Sequence, residues 1–341
     1  MQRVRNAMNQ ERILFLFVAS CVAFFGCVEK ELPVPQREPG DAVIRSVGIG
    51  SNYAGQVHFD LDLGQEYSNA KDAWCLRFHF DGDSVWMDLN SSRYMRSAML
   101  LPTQSGMAFS EDEIAALGWE VNHPEGRTLN QLVEENELTA IDLGRDPYNP
   151  TESLGGRRIQ ILDKSDEQLT LRTSLLVAEL DSEIANNWDT ITIFKDLSIS
   201  NVHLSLLSNQ VVDLEPNTGL WDLYFTQYTT LISQGDDEPA IEYLVSGVLN
   251  HAEGVRVMRV ETGTWEFWKE AEWPEEDLSS DWDVIGYDWK SYSLEEGAYS
   301  INQDLIYCVQ TADEREFLLR FLDFYDDDGN AGLFTFETLE R

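Results

Sequence analysis

The chain has 341 residues, 43% apolar and 11% aromatic, which is ample for a globular core and long for one domain, so two domains are expected. Its formal net charge is −37, from 61 acidic and 24 basic side chains. A surface of that sign repels phosphate backbones and anionic headgroups and excludes nucleic acid as a partner.

Arg3, Arg5 and Arg12 precede an apolar run of 13 residues, 13–25, and then Gly26-Cys27. As a helix that run spans about 20 Å, short of the roughly 30 Å hydrocarbon core, so residues 1–26 read as a secretory signal peptide rather than a membrane span. Phe24-Phe25-Gly26-Cys27 is similar to a bacterial lipobox, with Phe24 where Leu is commoner, and it marks Cys27 as the lipidated first residue of the mature chain. Glu29 and Glu31 just after it resemble surface-export signals of some Gram-negative lipoproteins. The expected address is therefore the outer membrane or cell surface, with the bilayer as partner through the lipid. Residues 27–44 then form a tether, whose Pro33, Pro35 and Pro39 keep it extended over about 45 Å.

Beyond the tether the sequence repeats. Val57-His58-Phe59 and Val202-His203-Leu204 each lead to a tryptophan strand, Trp74-Cys75-Leu76-Arg77-Phe78 and Trp221-Asp222-Leu223-Tyr224-Phe225. Each stretch then reaches a Leu-Asn pair, Leu89-Asn90 and Leu249-Asn250, and later an acidic hairpin turn, Asp166-Glu167 and Asp313-Glu314. The offset is 145 residues between His58 and His203, close to that for the tryptophan strands and the acidic turns, and 160 for the Leu-Asn pairs. Two related units, 45–196 and 197–341, are the expected division.

Locally the reading is all-β. QVHFDLDL, WCLRFHF, VWMDLN, RIQILD, LTLRTSLLVAEL, DTITIF, NVHLSLL, WDLYFTQY, IEYLVSGVL, GVRVMRV, LIYCVQ, EFLLRFLDFY and LFTFETL are short, rich in β-branched or aromatic residues, and separated by turn formers. In the first of them Val57, Phe59, Leu61 and Leu63 face inward, while His58, like its counterpart His203, faces solvent. Two short helices are expected: residues 110–117, opened by a Ser110/Glu113 capping box, and residues 129–138. Cys75 and Cys308 sit in apolar strands, either as two buried thiols or as one bridge. Asp326-Asp327-Asp328-Gly329-Asn330 has turn chemistry and lacks the spacing of a calcium loop. No nucleophile elbow, phosphate loop or zinc spacing occurs, so no enzyme is expected.

The C-terminal run WDVIGYDWKSY, GAYSINQDLIYCV and FLLRFLDFYDDDGNAGLFTFE, together with WDLYFTQY, resembles the HmuY-like family of secreted bacterial haem-binding lipoproteins. The resemblance covers about residues 202–340 and implies an all-β, non-enzymatic protein that takes haem or a porphyrin as ligand, with a haem-uptake receptor as a partner. In the family the axial ligands come from loops that correspond here to residues 262–299, an interval without His or Met. His251 and Met258 just upstream are the nearest conventional iron ligands, and Tyr287 and Tyr292 lie within the interval. Trp265, Trp268, Trp273, Trp282 and Trp289 also crowd there among acidic residues. Trp265, Trp268 and Trp273, with the two tyrosines, are candidate ligand-binding residues for haem or, in the rival reading, for a glycan or protein partner.

Overall fold

Alternating strands with a covered face on each side organise the chain. The computed structural model describes residues 42–121, 131–177, 186–233, 239–251 and 253–341. The signal peptide, Cys27 and nearly all of the tether lie outside them. In chain order β1 is Val43–Gly48, β2 Gly55–Phe59, β3 Glu66–Ala70, β4 Leu76–Asp81, β5 Ser84–Leu89, β6 Arg96–Leu100, β7 Glu120–Val121, β8 Gln131–Leu132, β9 Leu138–Asp142, β10 Gly156–Lys164, β11 Gln168–Leu176 and β12 Asp189–Phe194. There follow β13 Val202–Ser205, β14 Gln210–Val212, β15 Leu223–Ile232, β16 Ile241–Asn250, β17 Arg256–Val260, β18 Lys290–Ser293, β19 Ala298–Ile301, β20 Ile306–Gln310, β21 Glu316–Tyr325 and β22 Ala331–Glu340.

Four of the sheets make two sandwiches. Sheet β14-β13-β4-β5-β8 packs on β12-β11-β10-β9-β6-β7 around Leu76, Phe78, Met87, Ile159, Leu171 and Leu204. Sheet β16-β15-β2-β3 packs on β1-β22-β21-β20-β17 around Phe59, Phe225, Trp289, Phe321, Phe334 and Phe336. A hairpin, β18–β19, stands beside the second sandwich.

The pairing does not follow the expected boundary at 196/197. β2 pairs with β15, Phe59 opposite Leu223, and β1 with β22, Val43 opposite Thr338. β13 instead pairs with β4, Val202 opposite Phe78. The VHF strand of the first repeat thus lies beside the tryptophan strand of the second, and the VHL strand of the second beside that of the first. Contacts bind residues 39–341 into one unit. The first sandwich is sequence-continuous and sits between β3 and β15, which sequence similarity between repeats could not reveal. β1 also begins at Val43, two residues inside the expected tether.

This exchange corrects the solvent exposure expected for His58 and His203. Each histidine points away from its own sandwich core, as alternation requires. That face is covered because the two sandwiches meet there, leaving His58 4% and His203 5% exposed. Gln56, His58, Tyr224 and Trp282 come from one side, and Trp74, Arg77 and His203 from the other. Gln56 Oε1 accepts from Trp74 Nε1 at 3.3 Å and from the Tyr224 hydroxyl. The Arg77 guanidinium lies 3.6 Å from the Trp282 ring centre and pairs with Asp88 at 2.8 Å.

The helix at Glu111–Ala115 has the expected cap, Ser110 Oγ accepting from Glu113 N–H while the Glu113 carboxylate accepts from Ser110 N–H. No helix forms within the described part of 129–138: Gln131 and Leu132 pair beside Met87 and Trp86, and Leu138 opens β9, so sheet pairing overrides a weak helical pattern. A helix the sequence reading missed, Trp265–Glu270, is capped by Thr264 Oγ1 accepting from Phe267 N–H at 3.2 Å. Leu63 is 66% exposed because β2 ends at Phe59 and Asp60 caps a turn, accepting from Leu63 N–H at 2.8 Å. Cys75 and Cys308 are free, buried thiols in different clusters, which settles the bridge question against a disulfide. Asp326 closes the final hairpin by accepting from Asp328 and Asn330 N–H at 3.0 and 2.7 Å.

Candidate functional site

The tryptophans read as a ligand surface mostly cover the sheets. Trp273 is 8% exposed and joins Met258, Ile306, Cys308 and Leu318 on the outer face of the second sandwich, with Trp265 and Trp268 half-buried against them. Arg320 lies over the Trp265 ring at 4.6 Å and Arg341 over Trp273 at 4.5 Å, so cations of the sheet already occupy these faces. Trp282 belongs to the layer between the sandwiches, and Trp289 is fully buried, stacked on Phe321 at 3.9 Å. Phe267, which the sequence reading passed over, is the exposed aromatic of the segment, at 57%.

His251 and Met258 do not fit haem iron. Met258 is buried opposite Cys308 on β20, apart from His251. His251 is 3% exposed, edge-on to Trp221 at 4.1 Å, with both ring nitrogens engaged. Nδ1 lies 3.1 Å from both the N–H and the carbonyl oxygen of Glu253. Nε2 meets Ser200 Oγ at 3.1 Å, and that hydroxyl donates to the Glu253 carboxylate at 2.8 Å. Burial drives the His251 pKa down to about 4, partly offset by Glu253. The adjoining cavity, lined by His79, Phe80, Lys195, Ser200 and Glu253, measures about 250 Å³. That lies below the usual range of small-molecule pockets and is no porphyrin slot.

Of the candidate residues, Tyr292 alone stands on an open face, and it has company. Residues 281–289 run along β16: Val248 and Gly286 exchange N–H···O bonds at 2.9 and 3.0 Å, and Asn250 N–H donates to Trp282 O at 2.8 Å. The approach is so close that a Cβ on Gly247 would meet Gly286 O at 2.6 Å, hence glycine. This strap half-buries Tyr287 against the tyrosine ring of Tyr228 and sinks Trp289 into the core, setting the base of the β18–β19 hairpin.

On the hairpin, Tyr299 meets Tyr292 edge-on at 5.0 Å and Phe324 at 5.2 Å, and its N–H donates to the Tyr325 hydroxyl at 2.6 Å. Tyr53 stacks on Phe324 from the β1–β2 loop, and Tyr243 on β16 interacts electrostatically with Tyr299. Tyr243 and Tyr292 are 53% and 52% exposed, and the hairpin tip carries Leu294, 92% exposed. Burial first, then the neighbouring tyrosines, pushes the Tyr299 hydroxyl up to about 12. Beneath the rings lies Lys290, 8% exposed, its Nζ 4.2 Å from the Trp289 ring centre, 4.6 Å from Phe324 and 5.6 Å from Tyr299, donating to Ser246 O and Tyr287 O. Burial lowers its pKa to about 7.

The arrangement offers exposed π faces, free phenol oxygens and a buried amine. Sequence reasoning found Tyr292 and missed Tyr53, Tyr243, Tyr299 and Tyr325, since they come from four separate segments. The described residues hold no cluster of three or more His, Cys, Asp or Glu able to bind a metal ion.

No family model and no curated protein sequence matches the chain. Among solved structures, it is similar to apo PinO from Porphyromonas gingivitis, at 9% identity over 88% of this chain and 97% of that one, with a TM-score of 0.28. A putative lipoprotein from Bacteroides fragilis matches at 13% identity over 52% of this chain and 94% of the other, TM-score 0.23. The chain is also similar, at 12% identity over 40% of its length and 83% of the other, TM-score 0.23, to a putative HmuY-like heme-binding protein from Bacteroides vulgatus.

Proposed function

We propose that this is a non-enzymatic, lipid-anchored protein of the bacterial surface that captures a flat ligand of the porphyrin class, haem foremost, on its tyrosine face. The observation that carries the reading is the convergence of Tyr53, Tyr243, Tyr292, Tyr299 and Tyr325 on one face, two of them more than half exposed. Such rings bind planar ligands by offset stacking, worth about 1 kcal/mol or more per ring. Bound haem would supply an iron centre, and the residues that would hold it are these tyrosines rather than His251 or Met258.

Haemin added to the soluble domain is expected to give a saturable shift of the porphyrin band at micromolar concentration. Tyr292→Ala is expected to weaken it about tenfold, equivalent to about 1.4 kcal/mol, without loss of folding. No saturable shift would sink the reading. The net charge of −37 favours a second one, a neutral glycan stacked on the same rings, since porphyrin propionates meet like charge there. Binding to a glycan array that disappears in Tyr292→Ala, with no haemin shift, would select it.

The anchor rests on Cys27 and the lipobox-like residues before it. Among the described residues no helix is long and apolar enough to cross a membrane. Cys27→Ser is expected to abolish incorporation of labelled fatty acid and release the protein from membranes; continued labelling refutes the anchor.

A further inference from the structure

If the tyrosine face takes a porphyrin as proposed above, the ligand of its iron follows from which donor atoms are free there. The side chains that meet on the face, Tyr53, Tyr243, Tyr292, Tyr299 and Tyr325 around Phe324 and Lys290, include no imidazole, thioether or thiol. Lys290 is turned inward onto two carbonyls. The Tyr325 oxygen accepts from Tyr299 N–H, and the Tyr53 and Tyr299 rings are half-buried against Phe324. Tyr243 and Tyr292 keep more than half their surface in solvent, and neither hydroxyl has a hydrogen-bond partner among the described residues. Tyr292 is the better held of the two, its ring fixed edge-on against Tyr299 and its strand paired with β19, Tyr292 opposite Tyr299.

We infer that Tyr292 binds ferric porphyrin as an axial phenolate, which makes the protein selective for oxidised over reduced iron. Ferric haem in water carries hydroxide. The Tyr292 phenol gives its proton to that hydroxide, water leaves, and an iron–phenolate bond replaces the iron–hydroxide bond with the iron still ferric. An anionic oxygen favours the higher charge of Fe(III). Reduction removes one positive charge from the centre and leaves the phenolate in the field of a protein with net charge −37. His251 and Met258, donors that serve either oxidation state, are both withdrawn from the surface.

The test compares haemin, dithionite-reduced haem and metal-free protoporphyrin IX on the soluble domain by absorbance titration, with electron paramagnetic resonance of the ferric complex. The expected result is a phenolate-to-iron charge-transfer band and a high-spin ferric signal, with the reduced and metal-free porphyrins bound about tenfold or more weakly. Tyr292→Phe, which keeps the ring, is expected to lose the band while Tyr243→Phe keeps it, with thermal melts of both variants unchanged. Survival of the band in Tyr292→Phe overturns the assignment. Equal affinity for all three porphyrins leaves porphyrin capture standing and overturns ligation by phenolate. No saturable change with any of them overturns capture itself, and the ligand with it.

Discussion

Acidification from pH 6.5 to 4 is expected to lower the folding stability of the soluble domain by about 3 kcal/mol, through the buried layer between the sandwiches. Burial lowers the His203 pKa to about 3 and that of His251 to about 4, and it lowers His58 well below its ordinary 6.5, with His203, His251 and Arg77 adding repulsion. Below pH 6.5 the unfolded chain takes up these protons and the folded chain does not, so each histidine costs up to about 1.4 kcal/mol per pH unit until its folded pKa is reached. Two carboxyls act the other way. Burial raises Glu215 and Asp222 to about 7, so between about pH 7 and 4 the folded state binds their protons more tightly and gains stability as pH falls. Three histidines against two carboxyls leave a net loss on the order of 1 kcal/mol per unit. Denaturant melts at pH 6.5, 5 and 4 read the slope directly. It should nearly vanish in His203→Gln and steepen to about 4 kcal/mol per unit in Glu215→Gln/Asp222→Asn; a His203→Gln slope equal to that of the parent would show that the layer does not set acid stability.

The second large effect is expected at Trp289. Its ring is fully buried, stacked on Phe321 and touching Phe324 and Phe334, and it leads directly into Lys290 and the hairpin. Trp289→Ala opens a cavity in the second sandwich and is expected to cost about 3–5 kcal/mol, lowering the melting temperature and, by loosening the hairpin base, weakening haemin as well. Trp268→Ala, which removes a half-buried ring whose Nε1 donates to Thr262 O at 2.8 Å, is expected to cost about 1 kcal/mol and leave haemin binding unchanged. Equal losses from the two variants would mean that burial does not separate core tryptophans from covering ones in this segment.

Much of the fold was legible because short strands declare themselves through alternation. DTITIF and EFLLRFLDFY coincide with β12 and β21 residue for residue. The strands that went unread, such as β3 (EYSNA) and β14 (QVV), are edge strands of five and three residues, too short for alternation to show. His58 and His203 were assigned to solvent because alternation tells which face a residue takes but not what covers that face. The candidate site was legible only at Tyr292. Tyr299 lies opposite Tyr292 on the same hairpin, whereas Tyr53, Tyr243 and Tyr325 arrive from distant segments; of the tryptophans, Trp265, Trp268 and Trp273 cover a sheet, Trp282 lies between the sandwiches and Trp289 is in the core.

The pairing of β1 with β22 and of β2 with β15 has a consequence for the order in which the molecule can be made. Residues 43–59 leave the ribosome before the rest of the described chain, yet their partners, 223–225 and 333–338, emerge long afterwards. The first sandwich lacks only β13 and β14 once β12 is out, and it can close while β1 and β2 still wait for their partners. Completion therefore requires a contact spanning nearly the whole described chain, Val43 to Thr338, which is slow to form and leaves open strand edges exposed in the interval. A chain interrupted anywhere before β22 would leave β1 permanently without its partner, so it is during synthesis, more than after folding, that this protein most needs escorting.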